Sequence, residues 1–226
     1  AVDLIFTIGS DASRDFASIS AYHAAHGSDD LVTLDENHIL EVYNDDGAWI
    51  DQVGVTFKQT HDSTHFLTIR AATGTGAQGH PNDHRTRGPD APLIDDPAVG
   101  AACRATTDFQ RLLQWENSGQ GRQKVKIFGL QLRVTGSNTR VLSALNDDDL
   151  ASESEVDQCI LHGTNPDVNN IIRSFISGDG LTPVPVIKRC LVISNNTGND
   201  TIRAPLSSTV KGEAVATTIV STNTTN

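Results

Sequence analysis

The residues of this chain best suited to chemistry form a run of carboxylates: Asp147, Asp148, Asp149, Glu153, Glu155 and Asp157. Two carboxyl groups about 5 to 9.5 Å apart can hydrolyse a glycosidic bond, one as acid and the other as base or nucleophile. Several together can hold Ca²⁺ through oxygen. The run contains no Asp-x-Asp-x-Asp-Gly calcium loop, and its plain alternative is a solvated acidic loop. His80, Asp83 and His84 offer nitrogen and oxygen donors, but Pro81 keeps the two histidines from sharing one face of a helix. Ser, His and Asp are all present without a Gly-x-Ser-x-Gly elbow. Cys103, Cys159 and Cys190 form no Cys-x-x-Cys pair, which disfavours zinc, and their odd number disfavours a disulfide framework. They read as small buried residues. No catalytic residue, metal or cofactor is therefore expected, and the carboxylates belong to an alternative, enzymatic reading.

Charge narrows the partners. The 28 acidic residues exceed the 17 basic ones, for a formal net charge of -11. Phosphate binding needs clustered Lys and Arg, so no direct nucleic-acid partner is expected. The cations that stand out are Arg85, Arg87 and Arg104, in or beside a long polar loop, where they can reach acidic groups of a neighbouring protein. No apolar stretch is long enough to span a bilayer, so no membrane is expected. Asp3 interrupts the opening, which argues against a signal peptide. The absence of Met suggests synthesis in a host cytoplasm with the initiator removed, a processed fragment being the alternative.

The elements that must position these groups are mostly strands. Aromatics make up only 5% of residues, which suits a narrow core of stacked aliphatic side chains. Strands are expected at Leu4–Ile8, His38–Tyr43, Val53–Phe57 and Phe66–Ala71. One helix is expected over Asp15–Ala25, capped by Ser13 or Asp15 and ended by Gly27. Residues 74–98 are dominated by Gly, Pro, Asp, His and Arg. They read as a long loop, either mobile or an interaction element.

From about residue 100 the sequence repeats. Leu112, Leu142, Ile172 and Ile202 recur at an interval of 30. A second series, Cys103, Leu130, Cys159, Cys190 and Thr217, recurs at 27, 29, 31 and 27. A coil of about 30 residues cannot bury its own apolar face, so it must stack on the next. If the coils pair in parallel, corresponding residues lie about 4.8 Å apart and form internal ladders. Leu112, Leu142, Ile172 and Ile202 are one expected ladder, with Cys159 beside Cys190 in another. A helical repeat is disfavoured by Val, Ile and Thr broken by Asn and Gly. A β-sandwich is the stronger rival, but it does not require equal positions to recur at equal intervals. The expected fold is all-β: a short right-handed parallel β-helix with an N-terminal capping helix. It forms one domain over residues 1–226, with a cap, irregular coils and long loop over 1–99, regular coils over 100–222 and a tail over 223–226.

Several segments carry a resemblance. Ile8-Gly9, then Arg14-Asp15-Phe16 with Ile19, then Phe66-Leu67-Thr68-Ile69-Arg70-Ala71, then Val125-Lys126-Ile127-Phe128-Gly129-Leu130-Gln131-Leu132, resemble the layout of right-handed β-helix proteins of bacteriophages and prophages. The likeness covers most of the chain, and its motifs specify fold better than function. It implies a phage-particle component: a tailspike, a fibre or a head decoration protein, commonly trimeric. A short acidic chain fits a capsid decoration (cement) protein best. The expectation is a non-enzymatic virion protein on the capsid surface, a homotrimer whose partner is the major capsid protein. The alternative is a tailspike-like module that binds or cleaves glycans, although two Trp and two Tyr leave few sugar-stacking platforms. A secreted adhesin is a third reading, weakened by the lack of a signal peptide.

Overall fold

The computed structural model describes residues 1–62, 64–72, 95–108, 111–116, 124–145, 155–164, 172–174, 186–194, 202–203, 214–215 and 218–221. Its strands form three sheets. The seven-stranded sheet contains Val2–Ile8, Glu36–Val42, Leu67–Ala71, Val125–Phe128, Glu155–Asp157, Val186–Lys188 and Ala214–Val215. The six-stranded sheet contains Ile50–Asp51, Ala102–Ala105, Gln131–Val134, Ile160–Gly163, Leu191–Ser194 and Thr218–Ser221. The five-stranded sheet contains Val55–Phe57, Arg111–Glu116, Arg140–Leu145, Ile172–Ser174 and Ile202–Arg203. Every pairing between these strands is parallel. From Glu36 onward the chain visits the seven-, six- and five-stranded sheets in the same cyclic order. The fold is therefore an all-β parallel β-helix. The sequence period is hidden before residue 100 because the segment from Ala71 to Ala102 is far longer than the two residues that join Phe128 to Gln131.

The interior is a set of ladders. Ile50, Cys103, Leu132, Leu161 and Val192 stand opposite one another in successive strands of the six-stranded sheet. Cys103, Leu132, Leu161 and Val192 are almost wholly buried, and burying each large aliphatic side chain contributes about 1.5–3 kcal/mol. The ladder expected in the five-stranded sheet needs one correction. Leu142 stands opposite Ile172, and Ile172 opposite Ile202, but the partner of Leu142 in the preceding coil is Leu113, not Leu112. The first interval is 29 residues, and both leucines are buried. The cysteine series also shifts. Cys103 faces Leu132, whereas Leu130, Cys159 and Cys190 are equivalent corner residues. Ile160 N donates to Leu130 O at 2.9 Å and Leu191 N to Cys159 O at 2.9 Å, so these three buried side chains stack at one corner. Cys159 and Cys190 are thus neighbours, as the repeat implies. Thr217 lies outside the described residues. Each such corner is turned by one residue with positive φ: Gly129 at 69°, Gln158 at 54° and Arg189 at 48°.

One helix closes the core at the N-terminal end. It is α1, Ile19–His26, four residues shorter at its start than the pattern suggests. Its cap is Ser18, whose hydroxyl accepts from Ala21 N at 3.1 Å. Asp15 does not cap it because the first strand uses that segment: Thr7 N donates to the Asp15 carboxylate at 2.8 Å, and Phe16 N donates to Thr7 O at 3.1 Å. Ile19 and Tyr22 of α1 join the core cluster, with Phe16 packed against it. A second, one-turn helix, α2 (Leu31–Leu34), starts on Asp30 and ends on Asp35, at φ 59°. Among the described residues no helix is long and apolar enough to cross a membrane.

Candidate functional site

Alternation along a strand sends every second side chain outward. On the seven-stranded sheet, Ile69, Ile127 and Val156 point into the core, leaving Thr68, Arg70, Lys126, Phe128, Glu155 and Asp157 on the outer face. In register, Thr68 faces Lys126 and Lys126 faces Glu155, while Arg70 faces Phe128 and Phe128 faces Asp157. These six residues, with Ile127, line a groove of about 320 Å³. Glu155 and Asp157 sit two positions apart on one strand face, about 6.6 Å at the backbone.

Their partners decide what they can do. Asp157, in a side chain only 7% exposed, receives both arms of the Arg189 guanidinium: Nε donates to Oδ1 at 2.9 Å, and Nη2 donates to Oδ2. Lys188 Nζ lies 3.1 Å from Glu155 Oε1. Both cations come from the next coil. Across the groove, Arg70 Nη2 donates to Glu41 Oε1 at 2.6 Å, and Lys126 Nζ sits 5.0 Å from the Phe66 ring centre. Hydrogen bonding to Asp157 raises the Arg189 pKa above its ordinary value, against a smaller opposing effect of burial. Each outward carboxylate is neutralised by a cation of the adjacent coil, an arrangement suited to clamping coils together.

Of the acidic run singled out in the sequence, Glu155 and Asp157 thus meet in the groove, while Asp147, Asp148, Asp149 and Glu153 lie outside the described residues. So do Arg85, Arg87, His80, Asp83 and His84. Arg104 lies on the outer face of the six-stranded sheet, its Nε and Nη2 donating to the carboxylate of Asp51. The cysteines are buried and free. Burial pushes the Cys103 thiol up to about 12. It also pushes Cys159 well above the thiol range, with the neighbouring Cys190 adding to the effect.

Sequence reasoning passed over Arg70, Lys126 and Phe128, for which the signal was available: outward positions of strands already recognised as such. It also passed over the anchor at the end of the long loop. Asp95 Oδ2 accepts from His162 Nδ1 at 2.6 Å and from Arg133 Nη2 at 2.8 Å, and Arg133 lies 4.3 Å from the Trp49 ring centre. Burial works to raise the Asp95 pKa, but the hydrogen bonds from His162 and Arg133 prevail and hold it below the usual carboxylate value. Gln131 Nε2 donates to Asp96 O at 2.8 Å, and Gln131 and Ile160, outward on their strands, are wholly buried. The end of the loop is therefore pinned over the six-stranded sheet. Comparison with known proteins finds no match: no family model, no curated protein and no solved structure matches the chain.

Proposed function

We propose that this chain is a non-enzymatic structural component of a phage particle, a decoration (cement) protein that sits on the capsid surface as a homotrimer and bridges subunits of the major capsid protein. The observation that supports a structural role is the pairing of the groove carboxylates. Asp157 with Arg189 and Glu155 with Lys188 each join one coil to the next. A general acid or nucleophile must be free to exchange a proton or attack a carbon, and a carboxylate held by both arms of an arginine is poorly placed for either. The phage setting rests on the resemblance of the Arg14–Ile19, Phe66–Ala71 and Val125–Leu132 segments.

The test is composition of the particle. The chain is expected in purified virions at a fixed ratio to the major capsid protein, and particles stripped of it should lose DNA at a lower temperature. Absence from particles would overturn the reading. A glycan-binding or glycan-cleaving module is the second reading, favoured by the groove itself, with Phe128 between two outward charges. Depolymerisation of host polysaccharide by the isolated chain would establish it in place of the first.

A further inference from the structure

His26, Asp29 and His38 bring one donor atom each to within 4.8 Å of one another, a grouping found once among the described residues. From this geometry we infer that the N-terminal cap binds one divalent transition metal ion, Zn²⁺ being the chemical match for two imidazoles and a carboxylate. The three ligands come from three places that the fold alone brings together. His26 is the last residue of α1, Asp29 lies in the turn after Gly27, and His38 is on the inner side of strand Glu36–Val42. Their sequence spacing, three and then nine, matches no short metal motif, and this is why the chain reads as metal-free in sequence.

The site has what a metal centre needs. His26 Nδ1 and Asp29 Oδ2 already lie 2.8 Å apart. Donors bound to one zinc at about 2.0–2.2 Å lie roughly 3.3–3.6 Å from each other in a tetrahedron, so His26 and Asp29 must part slightly, while any donor pair near the 4.8 Å limit of the grouping must close by about 1 Å. His38 is held from both sides: its Nδ1 is 2.6 Å from the Tyr22 hydroxyl and its Nε2 is 3.0 Å from Glu36 Oε2. The nitrogen that takes the ion exchanges its present hydrogen bond for the metal, while the other keeps a partner that fixes the tautomer and the ring plane, the usual outer shell of a metal-bound histidine. The Tyr22 hydroxyl is in turn held by Gln59 Nε2 at 2.9 Å. Aromatic rings wall the other sides: Phe6 lies 4.9 Å from the His26 ring and 5.1 Å from the His38 ring, and Tyr22 stacks on His26 at 5.2 Å. His38 is buried, but the His26 and Asp29 side chains remain 30% and 29% exposed, which leaves an entry path. The ion would tie the end of α1 to the second strand of the sheet and lock the cap over the first coil.

The experiment is isothermal titration of Zn²⁺ into chelator-treated full-length chain, with Co²⁺ absorption spectra as a second readout. One ion per chain is expected, with the d–d bands of a low-coordinate nitrogen and oxygen site. His26→Gln and Asp29→Ala change partly exposed side chains, and their circular dichroism should match wild type. Each should weaken binding by at least about a hundredfold, since even outer-shell changes cost 10–100-fold. His80→Gln combined with His84→Gln should leave binding intact. Failure to bind at millimolar Zn²⁺, binding that survives both H26Q and D29A, or loss of binding in the His80 and His84 double variant would each overturn the assignment.

Discussion

The clamp between Asp157 and Arg189 predicts a stability effect that a catalytic carboxylate would not show. Asp157→Asn keeps the side-chain shape and removes the charge. A hydrogen bond to a charged group contributes about 1.5–3 kcal/mol, and breaking a fully buried ion pair costs about 3–5 kcal/mol. Here the Asp157 side chain is 7% exposed but that of Arg189 is 39% exposed, so the guanidinium left behind recovers water on one side. Solvent screening of that half discounts the cost to about 2 kcal/mol. For a domain of this size, 1 kcal/mol moves the melting temperature by about 2–4 °C, so D157N should melt about 4–8 °C below wild type.

Circular dichroism melts at neutral pH, with urea unfolding as a cross-check, measure this directly. Arg189→Gln and the double variant complete a cycle whose coupling should be about 1 kcal/mol or more, because the two groups touch. The same three proteins should show no difference in polysaccharide depolymerisation. If D157N melts at or above the wild-type temperature, the pair does not hold the coils together. The structural reading of the groove would then fail, since loss of a strained active-site carboxylate commonly raises stability.

The other predictions concern the core, the corners and one bridging histidine. Leu132→Ala opens a cavity in the ladder between Cys103 and Leu161 and should cost about 2–5 kcal/mol by urea unfolding; a loss below about 1 kcal/mol would contradict the ladder. A Cβ on Gly136 would lie 2.5 Å from Thr107 O and 2.8 Å from Asp108 N, both backbone atoms of the preceding coil. Gly136→Ala should therefore destabilise by about 1–3 kcal/mol or more, as overpacking does. The three thiols should ignore a disulfide-exchange reagent in the native protein and all react once it is unfolded, because burial raises the pKa of Cys103 and Cys159 and keeps the thiolate unpopulated. His65 lies between Asp35, 3.0 Å from its Nε2, and Asp62, 2.7 Å from its Nδ1. Hydrogen bonds to Asp35 and then to Asp62 raise its pKa. Its contribution to stability is fully present below the unfolded value of about 6.5 and is lost as pH rises through the raised folded value. The melting temperature of wild type minus that of His65→Gln should shrink across that window, and a constant difference would refute the bridge.

How much of this was readable in the chain depends on which side of the sheet a residue faces. Inward positions announce themselves because stacking demands one type, aliphatic, at one interval. Cys159 beside Cys190, and the backbone register of Leu142 with Ile172 and of Ile172 with Ile202, follow from that demand. The demand weakens where two adjacent residues both satisfy it. Leu112 and Leu113 are equally apolar and both buried, so spacing alone favours the even interval while the backbone pairs Leu142 with Leu113. A one-residue change of this kind normally turns a side chain to the other face, and here burial on both faces hides it. The α1 boundary failed for a related reason. Asp15 is a sound cap by type, but the free edge of Val2–Ile8 offers Thr7 as a competing partner, and nothing local to residues 13–16 records that edge.

Outward positions carry no such demand. Glu155 and Asp157 were visible as carboxylates, but their character is set by Lys188 and Arg189, 33 and 32 residues later. Asp95 acquires its meaning from His162, 67 residues away. His26 and His38 look unrelated until α1 folds over the first coil. A repeat length, once recognised, brings outward residues near their partners without naming them: one coil beyond Asp157 is Lys188, yet Asp157 pairs with Arg189, one residue further on, while Lys188 reaches Glu155, whose coil equivalent is Val186. The interior ladder therefore narrows each outward charge to a partner within a residue or two of its coil equivalent, and the local path of the chain at the corner selects which one. That register also separates a clamp from a catalytic pair, because it shows whether a cation waits one coil away to hold the carboxylate in place.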